Sequence, residues 1–583
     1  MKKITVYLKD YIRESILAPS FKLLEALMDL FVPLLVAYII NEGIAKNNQS
    51  VIIRCFIYLI ALAVLGMLFS FTAQWFAAKA SVGFAGKLRQ ALFDHIQSLS
   101  YRQLDTLGTD TLITRMTSDI NQMQTGLNLA LRLLLRSPFI VFGAMIMAFT
   151  IDIKSAMVFA VTIPILCLVV FGIMLVSIPL FEKVQIALDK LLGKTRENLT
   201  GVRVIRAFCR EEEEIKDFDE KSSLLTKLNE YVGRLSAAMN PLTYIIINAA
   251  TIILIYIGAL RVEMGILRQG DVVALYNYMA QIIVELIKLA SLIITINKSL
   301  ACGRRIEKIM EIDADMKYED ELKSKEDDQY SVVFNNVSFR YEGAAAETVE
   351  NIDFKVKKGQ TVGIIGGTGC GKSTLVSLIP RFYDTDKGSV EVNGINVKEY
   401  PKDILLNKIG IVPQKAVLFA GTIRDNLRWG NENASDEEIY EALKIAQALE
   451  VVEGKEKKLD EWVEQNGRNL SGGQRQRLTI ARALLKKPQI LIMDDSASAL
   501  DFATDLRLRQ AINNLKNDLT VFIVSQRTTS VRNADLILVM DDGKIVGKGK
   551  HDELLKNCEV YQEIYYSQFP EERPSGKEAF TVA

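Results

Sequence analysis

Residues 366–374 read GGTGCGKST, a run whose residue types can hold phosphate. It follows an apolar, strand-like segment at 361–365 and opens a helical one at 373–379, giving the order strand, loop, helix. Gly366, Gly367, Gly369 and Gly371, with Thr368 and Cys370 between them, let backbone N–H groups turn toward phosphate oxygens. The start of the following helix adds partial positive charge. Lys372 can reach the β- and γ-phosphates, Ser373 can offer its hydroxyl to Mg²⁺, and Thr374 closes the motif. A dinucleotide-binding loop is the rival for a glycine-rich turn, but Gly-Lys-Ser-Thr is not its pattern. The chemistry indicated is binding of a nucleoside triphosphate, ATP, with Mg²⁺.

Further along, residues 490–493 are apolar and end in Asp494. A carboxylate there can hold Mg²⁺ opposite the phosphate loop, as in other P-loop NTPases. Taken alone the pattern also fits a plain buried strand; the phosphate loop upstream is what gives it weight. Between the two lies LSGGQRQR at 470–477, where Ser471, Gly472, Gly473 and Gln474 precede a helical segment at 474–485. This is a second helix start suited to phosphate. The six cysteines are scattered without metal-ligand spacing and read as buried or incidental thiols. Only two histidines are present, His95 and His551.

These residues occupy the second half of a 583-residue chain, too long for one ordinary core. Seventy basic and 70 acidic residues give no basic excess, so nucleic acid is not an expected partner. Hydrophobic residues make up 49%, concentrated in the first half. Apolar stretches of bilayer-spanning length fall at 16–40, 52–76, 129–150, 155–181, 237–260 and 272–297. Connections near 77–128 and 182–236 are long, charged and helical in period, so two hairpins project from one side. The basic N-terminal segment and the Lys/Arg-rich hairpins place that side in the cytoplasm. Residues 5–16 read as an amphipathic interfacial helix, and no cleavable signal peptide is evident. Isolated charges inside the spans (Glu25, Asp29, Arg132, Arg136, Glu285, Lys288) could line a translocation path, although Glu285 and Lys288, three apart on one helix, could simply pair.

The expected organisation is therefore a membrane domain over 1–310, a charged linker over 311–330, a nucleotide-binding domain over 331–570 and a tail over 571–583. The fold class is multidomain. A helical membrane domain with six transmembrane helices and long cytoplasmic hairpins precedes an α/β P-loop ATPase domain. The protein is expected to be multi-pass in the cell membrane, with N-terminus and ATPase domain cytoplasmic.

On GGTGCGKST, LSGGQRQR and Asp494 the chain resembles the ABC ATPase family, and the resemblance extends over essentially its whole length. It implies that Tyr341, in SFRYEG, stacks on adenine, and that Gln414, in IVPQ, contacts Mg²⁺ and the attacking water. It also implies that the SALD run at 498–501 crosses between two nucleotide domains. ENLTGVRVIRAFCRE at 197–211 is similar to the second cytoplasmic hairpin of exporter-type members, whose tip near 201–208 docks on a nucleotide domain. LGTDTLITRMTSDI at 107–120 resembles the first hairpin. The order of domains resembles bacterial half-exporters, which act as dimers; the implied partners are a second half-transporter, the lipid bilayer and a small amphipathic substrate.

Two positions depart from the family pattern. The acidic strand normally ends Asp-Glu, the glutamate polarising the attacking water, but here it reads Asp494-Asp495. A carboxylate one methylene shorter sits about 1.5 Å back, a misplacement that can cost ~100-fold in rate. The switch histidine is replaced by Gln526 in IVSQR, which can donate a hydrogen bond but cannot become cationic. The expectation is a heterodimer in which this chain brings an impaired phosphate-loop side and an intact LSGGQ side. The alternatives are a homodimer that hydrolyses slowly and exports lipid or peptide, or a regulatory gate rather than a pump.

Overall fold

The computed structural model describes residues 2–322, 329–496, 499–515 and 519–573. Two compact units emerge, Met1–Gln97 with Asp110–Ile312, and Ser98–Thr109 with Asp313–Ala583.

The first unit is built on six long helices, α1 Val6–Ile44, α2 Gln49–Ser98, α3 Thr109–Ile151, α4 Ile153–Thr200, α5 Glu211–Glu263 and α6 Gln269–Met310. Each contains one of the apolar stretches read from the sequence, and each runs well past it. The charged connections are thus helical continuations of the spans. Lys194 near the end of α4 pairs with Glu214 at 2.7 Å and Asp217 at 3.3 Å near the start of α5, holding one such hairpin together. The third apolar stretch, expected as one helix, turns at residues 134–135 before resuming at Arg136. Pro138 explains the break, since it lacks the N–H that would bond back to residue 134 and its ring crowds that carbonyl.

Tight connections are fixed by polar caps. Between α3 and α4, Asp152 Oδ2 accepts from the Ser155 backbone at 2.9 Å while Oδ1 accepts from Arg261 of α5 at 2.5 Å. Arg305 of α6 grips Asp119 of α3 in two-pronged fashion at 2.6 and 3.0 Å. Phe159, Leu254, Tyr278 and Ile282 are fully buried between the helices, with Tyr278 donating to the Leu30 carbonyl at 2.6 Å. α2 turns the other way, exposing Ile57, Leu68, Phe71 and Trp75 as a lipid-compatible face.

The second unit is α/β. Strands β1 Tyr330–Phe339, β2 Val349–Lys357, β4 Lys387–Val392 and β5 Ile395–Asn396 form an antiparallel sheet in the order β2-β1-β4-β5. The main sheet runs β12-β11-β3-β10-β9-β6, from β3 Thr361–Gly366, β6 Ile409–Val412, β9 Ile490–Asp494, β10 Thr520–Val524, β11 Leu536–Asp541 and β12 Lys544–Gly549. It is parallel except for β12. A short ribbon, β7 Gly421–Thr422 with β8 Trp462–Val463, stands apart. β9 is buried on both faces. Ile490 and Ile492 belong to one core with Phe334, Phe354 and Leu375, whereas Leu491 and Met493 belong to a second with Val412, Leu443 and Leu478. Strand alternation thus divides the unit into two hydrophobic halves.

The charge-rich stretch before β1 is only partly solvated. Tyr318 lies under the Arg381 guanidinium, 4.7 Å from ring centre to carbon, and Leu322 packs on the first core. Residues 323–328 of the linker and 574–583 of the tail lie outside the described residues.

His551, buried at 7% exposure, exchanges a 2.8 Å hydrogen bond with the Tyr561 hydroxyl. Burial and the nearby Arg532 hold its imidazole below the ordinary histidine range. A histidine depressed in the folded state binds its proton more tightly when unfolded, so its contribution is lost as pH falls through the unfolded value. Going from about pH 7.5 to about pH 5.5 should therefore lower the melting temperature of the chain about 2–4 °C more than that of His551→Gln. Equal slopes for the two would show that this imidazole does not titrate with unfolding.

Candidate nucleotide site

Each predicted residue of the phosphate loop sits where β3, buried along its whole length, hands over to the short helix α7 Lys372–Ser377. Gly366 has no room for a side chain, because a Cβ there would lie 2.1 Å from the Met540 carbonyl oxygen. Gly371 turns through φ +92°, and its Cβ would meet the Thr348 oxygen at 2.6 Å. Gly367 and Gly369 face open space, so the loop is tight beneath and clear above. Thr368 is exposed at the crest and Cys370 buried below it. That cradle and its donors fit a nucleotide phosphate.

Lys372 is buried and donates to the carbonyls of Gly366 at 3.0 Å and Gly367 at 2.5 Å, which holds its ammonium within the loop. Ser373 Oγ donates to Asp494 Oδ1 at 2.8 Å. Burial raises the Asp494 carboxyl above the usual range and the Asp495 charge adds to this, while the Ser373 hydrogen bond and Lys372 oppose it. A cation binding there would relieve that strain on the ionised form. The hydroxyl and carboxylate are the hard oxygen donors that Mg²⁺ takes.

Asp495 follows in the left-handed region, φ +45°, with its N–H donating to the Val524 carbonyl at 3.0 Å. Its Oδ2 accepts from Gln414 Nε2 at 3.4 Å, which brings the loop after β6 to the end of β9. Gln526, in the turn after β10, is exposed, and its backbone carbonyl accepts from Gln568 at 2.8 Å. Gln568 also accepts from the Thr528 N–H at 2.9 Å, so a residue of the C-terminal helix buttresses the turn. Nothing in the local sequence marked it.

Tyr341 exchanges a 3.2 Å hydrogen bond with the Thr374 hydroxyl and lies edge-on to Tyr383, centroids 5.3 Å apart. The Tyr383 hydroxyl donates to Asp105 at 2.7 Å, and Tyr101 packs on Phe382 at 4.5 Å. The segment that belongs to the ATPase unit from between α2 and α3 is thus Ser98–Thr109. It lies upstream of most of the 107–120 run singled out in the sequence. Sequence distance hides these pairs, which lie some 280 residues apart in the chain.

Ser471 caps helix α8, Gly472–Leu485. Its Oγ accepts from Gln474 N at 3.2 Å, and Gln474 Oε1 accepts from Ser471 N at 2.9 Å. Gly472 is open, whereas a Cβ on Gly473 would lie 3.1 Å from the Ala499 oxygen. Buried Gln476 reaches the Pro413 carbonyl at 3.4 Å, beside Gln414. Leu470 and Leu478 anchor this element on the second core, while Cys370 and Leu375 anchor the phosphate loop on the first. Tyr341, the phosphate loop, Asp494, Asp495 and Gln414 therefore gather on one side, and Ser471–Gln474 stands on the other half. Asp501 caps the helix Phe502–Asn513 through the Thr504 N–H at 2.9 Å; Ser498 of the SALD run lies outside the described residues.

Residues 15–286 match the family model of the ABC transporter transmembrane region, and residues 349–498 match that of the ABC transporter. The chain belongs to the ABC transporter family, with membrane and ATP-binding domains on one polypeptide. It is 35% identical over 572 residues to the uncharacterized ABC transporter ATP-binding protein YfiB of Bacillus subtilis, covering 98% of this chain and 99% of that one. It is 32% identical to the ATP-dependent lipid A-core flippase of Desulfotalea psychrophila (82% and 84% covered). It is 31% identical to the putative multidrug export ATP-binding/permease protein YgaD of Bacillus subtilis (97% and 99%). The fold is that of ABC exporters, since a bacterial Atm1-family ABC exporter with ATP bound superposes with TM-score 0.77 at 22% identity, over 98% and 99% of the two chains.

Gly371→Ala places a side chain on a left-handed residue against the Thr348 oxygen. Binding of a fluorescent ATP analogue to the full chain should weaken at least about tenfold. Unchanged affinity would mean that the loop can relax around a Cβ.

Proposed function

We propose that this chain is one half of an exporter that moves amphipathic compounds, drugs among them, out across the cell membrane, beside a second and different half-transporter. The observation that carries the pairing is the coincidence of Asp495 and Gln526 where the family pattern has glutamate and histidine. Two independent changes bear on the same step of phosphoryl transfer.

In this reading Tyr341 stacks on adenine, the loop from Gly366 to Thr374 wraps the phosphates, and Lys372 pairs with their charge. Ser373, Asp494 and Gln414 hold Mg²⁺, which when bound neutralises charge on the transferred phosphoryl group. Asp495, one methylene short, orients water poorly, and Gln526 donates a hydrogen bond without bringing charge. The ATP held by this chain turns over slowly. Because Ser471–Gln474 stands on the other half of the unit from the phosphate loop, it serves ATP bound by the partner.

Closing of the two nucleotide domains on ATP turns the membrane cavity outward, and hydrolysis at the partner's phosphate loop resets it, a population shift driven by differential nucleotide affinity. The hairpin tip near 201–208, with Val204 60% and Phe208 73% exposed in this chain, supplies an apolar knob for a nucleotide domain. Basic residues at the N-terminus and in the hairpins support a cytoplasmic ATPase domain. Relatives named for multidrug export and for a lipid A-core flippase are in keeping with an amphipathic cargo. The rival, a homodimer with slow turnover, draws on the Asp495 carboxylate lying 3.4 Å from Gln414.

Purified alone, the chain should hydrolyse ATP at least about tenfold more slowly than when co-purified with its partner subunit. Brisk turnover by the chain alone, abolished by Asp495→Asn, would overturn the heterodimer.

A further inference from the structure

The ring of Tyr341 is fixed by residues outside the phosphate loop. Phe339, at the end of β1, meets it edge to face, centroids 5.0 Å apart and planes at 84°. Tyr383 makes the same kind of contact at 5.3 Å, again at 84°. Phe339 and Tyr383 also touch, at 5.3 Å, so the three rings close into one cluster. Edge-to-face contacts are directional, so the plane of Tyr341 follows the positions of its two neighbours.

Tyr383 is held in turn by a distant part of the chain. Its hydroxyl donates to Asp105 Oδ2 at 2.7 Å, a charge-assisted bond, and Tyr101 lies beside its ring at 6.3 Å. Glu342, next in the chain to Tyr341, is met by the same segment. Thr106 Oγ1 donates to its carboxylate at 3.3 Å, and Arg102 Nε lies 3.6 Å from it. All four residues stand on the short helix Tyr101–Leu107, which belongs to the ATPase unit. Its start is set by Ser100 and Gln103, each side chain accepting from the other's backbone N–H, at 3.3 and 3.1 Å. Tyr101 and Asp105, one turn apart, address Tyr383. Arg102 and Thr106, one turn apart on the adjoining face, address Glu342. The helix therefore grips Tyr341 through the ring packed on it and through the residue that follows it.

Resting on the reading of Tyr341 as the residue that stacks on adenine, we propose that Asp105 and Tyr383 are positioning residues for recognition of the base. The bond from hydroxyl to carboxylate sets the Tyr383 ring, and that ring sets the plane of Tyr341 before adenine arrives. A stacking surface already in its bound orientation loses less freedom when the nucleotide enters. The helix Tyr101–Leu107 thus contributes to affinity for the base, and the loop from Gly366 to Thr374 to affinity for the phosphates. A helix that merely packs on the ATPase unit would have no such preference for one end of the nucleotide.

ATP and inorganic tripolyphosphate, each with Mg²⁺, are titrated against a ribose-labelled fluorescent ATP analogue bound to the full chain in lipid nanodiscs. The analogue's own affinity is measured first in each variant. Tyr383→Phe and Asp105→Ala should each weaken ATP about three- to tenfold and leave tripolyphosphate within about twofold. The double variant should lose no more than either single one, because both remove the same bond. Equal losses for ATP and tripolyphosphate overturn the proposal, since they report a general loosening of the site. Unchanged ATP affinity in both single variants overturns it as well, and so do losses that add in the double variant. Tyr341→Ala tells the two readings apart. If ATP affinity is unchanged there, adenine stacking itself falls; a loss there with none in Tyr383→Phe removes only the part assigned to Asp105 and Tyr383.

Discussion

Ser373 and Asp494 lie 121 residues apart in the chain, and the nucleotide site depends on their coming within one hydrogen bond. Strand register achieves this. Val524 of β10 stands level with Ile364 of β3 on one side and with Asp494 of β9 on the other. Asp494 therefore sits at the carboxyl end of the sheet, at the height from which β3 enters its glycine loop. A parallel sheet allows little slippage here, because β9 sends alternate residues into two separate cores and a shift by one would exchange them. Packing of the two halves is thus what fixes the geometry of the chemistry.

Much of this was legible in the sequence, and the reasons are local. The phosphate loop and LSGGQ are short contiguous runs whose backbone requirements dictate glycine, serine and lysine at set positions. The six apolar stretches declare themselves by length, by composition and by the spacing of the charged connections between them. What stayed hidden was either distant in sequence or set by a neighbour. The contact of Tyr383 with Asp105 joins segments with nothing in common but their fold. The docking of Tyr318 under Arg381 was masked by a composition that reads as solvated. The turn before Arg136 was readable in principle from Pro138, but an apolar run of spanning length outweighed it.

The membrane unit follows the same economy with charge. Arg136 ties α3 to Glu285 of α6 and to Asp29 of α1, helices that share no hydrogen-bonded backbone, and each such pair is dear in an apolar medium unless its geometry is good. Arg305 with Asp119 and Arg261 with Asp152 supply two further ties, both close to helix ends where water is near. Helix positions are therefore set by a few polar contacts against a background of interchangeable apolar ones.

The backbone at residue 495 adds a thermodynamic side to the unusual chemistry of the site. Its φ of +45° lies in the left-handed region, which aspartate enters more readily than glutamate does. At this corner the shorter acid is the less strained tenant, while the longer one would trade conformational comfort for reach toward water.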